Sequence, residues 1–172
     1  VLVGAALRLV SLCGDFWLDE IWSWSFARAA PSIDAIFTGI HHDNNHHLNT
    51  IWIFLCGDRA DWYIYRLHSY VAGLVTIVGG GLLAYDIGIA AAPMSPGESS
   101  SGSSRKGTKN SAPAPERAAY AEICSIVTMV LYALCYMACF YSGEARGYAM
   151  AGAAAVFSTR TLRHLAMNAG EF

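Results

Sequence analysis

Apolar residues along this chain gather in four blocks, and most charged residues lie between the blocks. The blocks cover about residues 1–14, 62–89, 119–141 and 144–162. Long apolar runs with few charges are typical of helices that cross a membrane, and each crossing needs about 20 residues. The pattern therefore predicts a multi-pass membrane protein with four spans, of which the uncharged run 123–141 is the clearest.

The first block is shorter than a complete span. Residues 1–14 are apolar except for Arg8. We expect this block to be the last part of a first span, and the chain to be the front part of a longer protein. The core of a signal peptide is the alternative, but WLDE follows the block in place of a small-residue cleavage site.

A stretch of low complexity separates the second and third blocks. Residues 92–118 are rich in Ser, Gly and Pro, and such a composition does not bury a core. Basic residues outnumber acidic ones there, which is typical of a cytoplasmic loop. They are Arg105, Lys106, Lys109 and Arg117, against Glu98 and Glu116. We therefore predict a flexible cytoplasmic loop, which places residues 15–61 outside.

The predicted outer loop, 15–61, contains helical patterns of its own. Residues 20–30 form one such piece, and Ser32 is a suitable cap for a second piece that runs to residue 40. The apolar run 48–56 is too short to span and fits a helix that lies in the membrane interface.

Composition agrees with a membrane protein and excludes some partners. The chain has 172 residues, of which 55% are hydrophobic and only 14% are charged, whereas soluble domains average about 25% charged residues. The net charge of −2 gives no reason to expect a nucleic-acid partner. The five cysteines form no CxxC pair, and we expect them to pack as small apolar side chains.

Two adjacent carboxylates, Asp19 and Glu20, follow the first apolar block and lie among aromatic residues. A carboxylate enclosed by Trp17 and Trp22 would have a raised pKa and could act as a general base. For Asp19 the structural alternative is a helix N-cap, and for Glu20 it is a carboxylate in the first helical turn.

Three other places carry candidate site residues, each with a structural alternative. Glu144 and Arg146 lie in a short outer loop and form either a functional pair or an interfacial ion pair. The run HHDNNHH at 41–47 offers metal ligands or is a polar loop. Arg66 either binds a phosphate through its guanidinium or snorkels at a span end.

The order of four short motifs resembles the GT-C membrane glycosyltransferases. The motifs are WLDE, NNHHLNT, YRLHSYVAG and YSGEARGYAM. The similar group includes the protein O-mannosyltransferases, the lipid A aminoarabinose transferases and the RgtA-type sugar transferases. The resemblance implies an all-α fold of multi-pass transmembrane helices with interfacial helices in the first outer loop, here a partial GT-C-like membrane domain over residues 1–172.

The resemblance also implies an activity. Such enzymes move a sugar from a polyprenyl-phosphate carrier to a glycan, lipid or protein acceptor at the outer membrane face, usually with inversion. On this chain the catalytic positions match Asp19 and Glu20, and the second acidic position matches Glu144 beside Arg146. A divalent metal ion held by Asp19, Glu20 and Glu144 is a candidate cofactor.

The substrate-binding positions match less completely. His46 takes the place of the family's histidine, but His47 stands where proline is usual. Arg66 takes the place of the family's arginine, with His68 in place of a proline. The resemblance implies that His46 positions the carrier phosphate or the acceptor, and that Arg66 neutralises the leaving phosphate.

The location implied by this resemblance is the bacterial plasma membrane. A multi-pass transporter or a lipid flippase is the alternative function. Acidic residues in the middle of the membrane would favour that alternative, and here only Asp86 lies within a predicted span, near its inner end.

Overall fold

The computed structural model describes residues 1–42, 45–58, 61–92, 115–144 and 147–169. Throughout these ranges the regular structure is helical, and none of it is strand, which confirms the predicted all-α class. The helices in chain order are α1 (Leu2–Leu12), α2 (Leu18–Ala29), α3 (Ile33–Thr38), α4 (His47–Cys56), α5 (Trp62–Ala91), α6 (Pro115–Leu134), α7 (Tyr136–Ser142) and α8 (Tyr148–Ala169).

Helix α5 is the centre of the packing, because it contacts α1, α4, α6, α7 and α8. It begins after Asp61, as the sequence predicts. Three consecutive glycines allow its neighbours to approach closely. A Cβ at Gly79 would lie 2.8 Å from the Phe157 ring of α8, and a Cβ at Gly81 would lie 2.5 Å from Met129 of α6. Small residues of this kind suit close packing between membrane helices.

Two of the described helices, α5 and α6, are long and apolar enough to cross a membrane, by length and composition. The shorter helices α1 and α4 are also apolar. Helix α8 has 22 residues and covers most of the fourth predicted span. The structure thus contains two candidate spans, and the four-span topology with its sidedness stays a prediction.

The third predicted span, 119–141, is interrupted. Helices α6 and α7 are separated at Cys135, whose backbone is extended with φ −61° and ψ 118°. Arg8 of α1 donates hydrogen bonds to the carbonyl oxygens of Tyr132 (3.0 Å) and Ala133 (3.3 Å) at the end of α6. These bonds satisfy carbonyl groups that the end of a helix leaves without partners.

The segment predicted to be the outer loop, residues 15–61, contains helices α2, α3 and α4. Ser32 caps α3 by accepting a hydrogen bond from the Ala35 N–H (3.3 Å), as predicted. Helix α2 packs against α4, and Ala27, Ile53 and Tyr65 form a buried apolar cluster beneath them. A position of these helices in the membrane interface stays a prediction.

The predicted cytoplasmic loop falls almost entirely outside the described residues, at 93–114. Its last residues differ from the prediction, because Pro115 opens α6 and residues 115–118 are helical. Proline is favoured at the first helical position, where no N–H is needed. The five cysteines are free thiols, two of them exposed and three half-buried.

Candidate functional site

Glu20 and Arg66 form a buried two-point ion pair between α2 and α5. Arg66 Nε lies 2.9 Å from Glu20 Oε1, and Arg66 Nη2 lies 2.6 Å from Glu20 Oε2. The side chain of Glu20 is fully buried, and 4% of the Arg66 side chain is exposed. Paired N–H···O bonds between a guanidinium and a carboxylate add fixed geometry to the charge attraction.

The remaining donors of Arg66 hold the end of α1. Nη1 donates to the carbonyl oxygens of Leu12 (3.2 Å) and Gly14 (2.5 Å), and Nη2 donates to the carbonyl oxygen of Asp15 (2.7 Å). A cation is favourable at a helix C-terminus, where carbonyl groups lack partners. Arg66 thus ties α1, α2 and α5 together, and its N–H groups are taken by protein atoms.

The same Glu20 carboxylate caps α2. Its Oε2 accepts a hydrogen bond from the Trp17 backbone N–H (2.9 Å), and Trp17 is the N-cap residue. This is the return half of a capping box. Glu20 therefore has the structural role that was the alternative to a catalytic one, a carboxylate in the first turn of a helix. Asp19 is not the N-cap, because α2 begins at Leu18, two residues earlier than a cap at Asp19 would give, and its N-cap is Trp17.

Glu144 faces this ion pair from the loop between α7 and α8. Only 5% of the residue is exposed. Burial first, and then the negative charge of Glu20, raise the pKa of Glu144 to about 7, while the positive charge of Arg66 acts in the opposite direction. A carboxyl group with this pKa exchanges protons near neutral pH.

A cleft of about 240 Å³ joins these groups. It lies where the end of α1, the start of α2 and the loop after α7 meet. Its lining residues are Ser11, Gly14, Asp15, Trp17, Glu20, Arg66, Phe140, Gly143 and Glu144. Two carboxylates predicted as site residues, Glu20 and Glu144, are therefore brought together with the predicted arginine.

Asp19 does not line this cleft. It lies half-buried in the first turn of α2, and its carbonyl oxygen accepts a hydrogen bond from Ser23 Oγ (3.2 Å). The tryptophans that were expected to enclose it are largely exposed, with 58% of Trp17 and 45% of Trp22 accessible. The structure thus separates the adjacent pair, because Glu20 lines the cleft and Asp19 does not.

His46 lies at a second cavity, between the start of α4 and the start of α8. Its ring centroid is 5.1 Å from that of Tyr148, and the two ring planes meet at 64°. Nε2 of His46 is buried and makes no hydrogen bond within the described part of the chain. Burial, and then the charge of His47, lower the pKa of His46, so the imidazole is neutral at pH 7. The cavity has about 480 Å³ and includes Met150 and Ala154.

The remaining predicted site residues are Arg146 and the histidine-rich run 41–47. Arg146 lies outside the described residues, as do Asp43 and Asn44 of the histidine-rich run. Two histidines of that run pack against aromatic rings. The distance between ring centroids is 5.6 Å for His42 and Trp22, and 5.0 Å for His47 and Phe37.

The carboxylates proposed to hold a metal ion do not fit one as they are arranged. Glu20 gives both oxygens to Arg66 and the Trp17 N–H, and Asp19 lies outside the cleft. Among the described side chains, His, Cys, Asp and Glu form no group of three or more suited to a metal ion. A divalent cofactor therefore stays a prediction from the resemblance.

A separate charged cluster joins α5 to α8. Arg160 Nε lies 2.6 Å from Asp86 Oδ2, and His164 Nε2 lies 3.1 Å from the same oxygen. Asp86 is the acidic residue that lies inside a predicted span, and its two partners were not predicted from the sequence. They lie 74 and 78 residues away, so a local pattern could not reveal them.

Arg8 is another residue for which the sequence alone predicts no role. It is buried between α1, α6 and α7. The available signal was its position as the one charge in an apolar block, since charges within membrane segments are costly and tend to be functional.

No family model, curated protein or solved structure matches this chain.

Proposed function

We propose that this chain is part of an integral membrane glycosyltransferase that moves a sugar from a polyprenyl-phosphate carrier to an acceptor hydroxyl at the outer membrane face. The order of the four motifs suggests this class. The observation that carries the mechanism is Glu144, a buried carboxyl group with a pKa of about 7 beside a fixed ion pair.

In the proposed reaction Glu144 is the general base. Its carboxylate takes the proton of the acceptor hydroxyl as that oxygen attacks the anomeric carbon of the sugar. The bond from the anomeric carbon to the carrier's phosphate oxygen breaks, and its electron pair leaves with the phosphate. Attack opposite to the leaving group inverts the anomeric centre. A base whose pKa lies near the working pH is the most effective.

The ion pair has a positioning role in this account. Glu20 and Arg66 fix the start of α2 against the end of α1, which shapes the cleft that faces Glu144. Their charges have opposite effects on the pKa of Glu144, which is raised first by burial. Arg66 was predicted to neutralise the leaving phosphate, but its donors are already taken by protein atoms.

Asp19 is the alternative base. It is next to Glu20 and half-buried but does not line the cleft, so a conformational change would be needed to bring it to a substrate there. Glu144 needs no such change. The two assignments are separated by substituting each carboxylate with its amide.

His46 suits a role in binding a sugar or acceptor hydroxyl. Its neutral ring has a buried nitrogen without a hydrogen bond to the described residues, next to a cavity near the loop that carries Glu144. A buried polar atom of this kind gains from a hydrogen bond that a ligand supplies.

The experiment is a transfer assay on the full-length protein in vesicles. A panel of polyprenyl-phosphate hexoses and pentoses serves as donors, and the readout is the release of free polyprenyl phosphate. The proposal expects release that Glu144→Gln suppresses. Absence of release with every donor, in a protein that is folded and inserted, would contradict the proposal.

Transport or lipid flipping is the second candidate, and the observation that bears on it is the ion pair between Asp86 of α5 and Arg160 of α8. Asp86 lies near the inner end of its predicted span, but charged residues within membrane segments often line ion pathways. Substrate movement across the vesicle membrane that Asp86→Asn abolishes and Glu144→Gln leaves intact would favour this second candidate.

A further inference from the structure

Arg8 is a buried cation held by backbone oxygens. Only 1% of the residue is exposed. It donates hydrogen bonds to the carbonyl oxygens of Gly4 (3.1 Å), Ala133 (3.3 Å) and Tyr132 (3.0 Å), and its Nε donates to Ser142 Oγ (3.2 Å). A guanidinium has five N–H groups, so these four bonds fix its orientation and leave one donor.

The positive charge of Arg8 lacks a carboxylate partner within the described ranges. Arg66 has Glu20 at 2.6 Å, and Arg160 has Asp86 at 2.6 Å. No such ion pair is formed by Arg8 with the described carboxylates, although it is the most deeply buried of the three. A buried charge without an opposite charge is costly, so an anionic ligand at this place would offset that cost.

A cavity of about 150 Å³ lies against Arg8. Hydroxyl groups are frequent in its lining, which includes Thr76, Tyr132, Tyr141, Ser142 and Tyr148. Thr76 and Ser142 donate their hydroxyl protons to the carbonyl oxygens of Ala72 and Ala138. The tyrosine hydroxyls are therefore the neutral groups that would donate to an anion while the guanidinium balances its charge.

Glycines at two places keep this region open. A Cβ at Gly73 would lie 2.1 Å from Ser142 Oγ and 3.0 Å from Arg8 Nε, so only glycine allows α5 to pass so close to this arginine. Gly152 of α8 also lines the cavity, and the nearest atom to a Cβ there is Thr76 Oγ1 at 3.9 Å. A larger side chain at Gly152 would therefore fit at its Cβ and extend into the cavity.

We propose that this Arg8 pocket binds the phosphoryl group of a membrane lipid. Guanidinium groups suit phosphate oxygens, and the pocket lies among apolar helices close to the predicted outer face, where lipid phosphates are found. The identity of that lipid as the sugar carrier rests on the proposed function, whereas the phosphoryl site itself does not.

The position relative to the cleft fits a carrier lipid. Ser11 lines the cleft of Glu20 and Glu144, and Arg8 precedes Ser11 by three residues on α1. Residues at this spacing are neighbours on one helix face, about 5–6 Å apart at Cβ. A phosphate at Arg8 would thus place an attached sugar next to Glu144, and it would supply the phosphate contact that Arg66 does not.

Lipid binding by the full-length protein in phosphatidylcholine nanodiscs tests this site without any transfer step. The probes are a polyprenyl monophosphate and phosphatidylglycerol. Arg8→Gln removes the charge, and Gly152→Leu fills the cavity while leaving the four hydrogen bonds of Arg8 in place. Ala155→Leu, at an exposed position of α8, is the matched control.

We expect the polyprenyl phosphate to bind, with the affinity lowered about ten- to a hundredfold by Arg8→Gln and by Gly152→Leu and unchanged in Ala155→Leu. If phosphatidylglycerol binds as tightly and is lost in the same variants, the site is supported and the lipid is a bulk anionic one. The proposal would be overturned if Gly152→Leu binds the lipid with wild-type affinity and Arg8→Gln does so too. It would also be overturned if Gly152→Leu binds with wild-type affinity and Arg8→Gln misfolds. This experiment measures lipid binding without sugar transfer. Failure of the proposed transferase activity would therefore leave the test of the phosphoryl site unaffected.

Discussion

Glu20 and Arg66 lie 46 residues apart in the chain and form a two-point ion pair, with N···O distances of 2.9 and 2.6 Å, in a site almost closed to solvent. This pair determines which of two adjacent carboxylates enters the cleft. Glu20 lines the cleft, and Asp19 does not.

Breaking this pair should destabilise the protein strongly. Glu20→Gln and Arg66→Met each leave a buried charge without its partner, which costs about 3–5 kcal/mol of unfolding free energy. The control is Arg28→Met, which breaks an ion pair with Asp58 whose side chains are 45% and 68% exposed, and exposed pairs contribute at most about 1 kcal/mol. Denaturant unfolding in detergent micelles measures all three. Equal losses for the buried and the exposed pair would contradict this account.

The raised pKa of Glu144 makes stability depend on pH. The folded-state pKa is about 7 and the unfolded value is 4.5. Between these values the folded protein binds more protons than the unfolded one, so this group's contribution to stability falls as pH rises from about 4.5 to 7. Glu144→Gln should therefore stabilise the protein at pH 8 by about 1–3 kcal/mol and have little effect at pH 4.

Thermal unfolding of both proteins across pH 4–8 measures this difference. Glu122→Gln, at an exposed position of α6, serves as the control and should show no such trend. A Glu144→Gln protein that is less stable than wild type at pH 8 would mean that the ionised carboxylate is favourably bound in the folded state.

Close packing between α5 and α6 requires glycine at position 88. A Cβ there would lie 2.7 Å from the Cα of Ala121, a backbone atom that cannot rotate away. Gly88→Ala should cost about 1–3 kcal/mol through overpacking. In Gly152→Ala the atom nearest to the new Cβ is Thr76 Oγ1, at 3.9 Å. Because alanine has a higher helix propensity than glycine, that variant should be at least as stable as wild type. Thermal unfolding that ranks the two variants in the opposite order would show that α5 and α6 are not packed in this way.

The predicted topology is tested by labelling single cysteines. In a background without the five native cysteines, Thr38→Cys in α3 should react with an impermeant maleimide added from outside. Ser101→Cys in the predicted cytoplasmic loop should react only after the membrane is permeabilised. The prediction rests on the excess of Lys and Arg in that loop, and the reverse labelling pattern would remove the outer-face assignment of the cleft.

The helical class and several helix boundaries could be predicted because they depend on local sequence. The apolar run after Asp61 predicts α5, and Ser32 predicts the start of α3, since a serine side chain caps within three residues. The start of α2 was missed because its cap relies on Glu20 bonding back to the Trp17 backbone, whereas a side chain at the N-cap itself was expected.

The site itself could be predicted only in part. Glu20, Arg66 and Glu144 were each identified as candidates, but their grouping depends on contacts between distant segments. The interruption of the third predicted span has the same origin, because Arg8 bonds to carbonyl groups 124 and 125 residues away. Separations of that size leave no signal in a hydrophobic pattern.

The most direct test of the central claim is the pH dependence of sugar transfer by the full-length protein and its amide variants. If Glu144 is the base, wild-type kcat/KM should rise with pH to a plateau, with an apparent pKa of about 7. Glu144→Gln should lower kcat about 10²- to 10⁴-fold and lose that dependence, while Asp19→Asn retains both the rate and the profile. A wild-type profile in Glu144→Gln, with the large loss of rate in Asp19→Asn, would contradict the account and assign the base to Asp19.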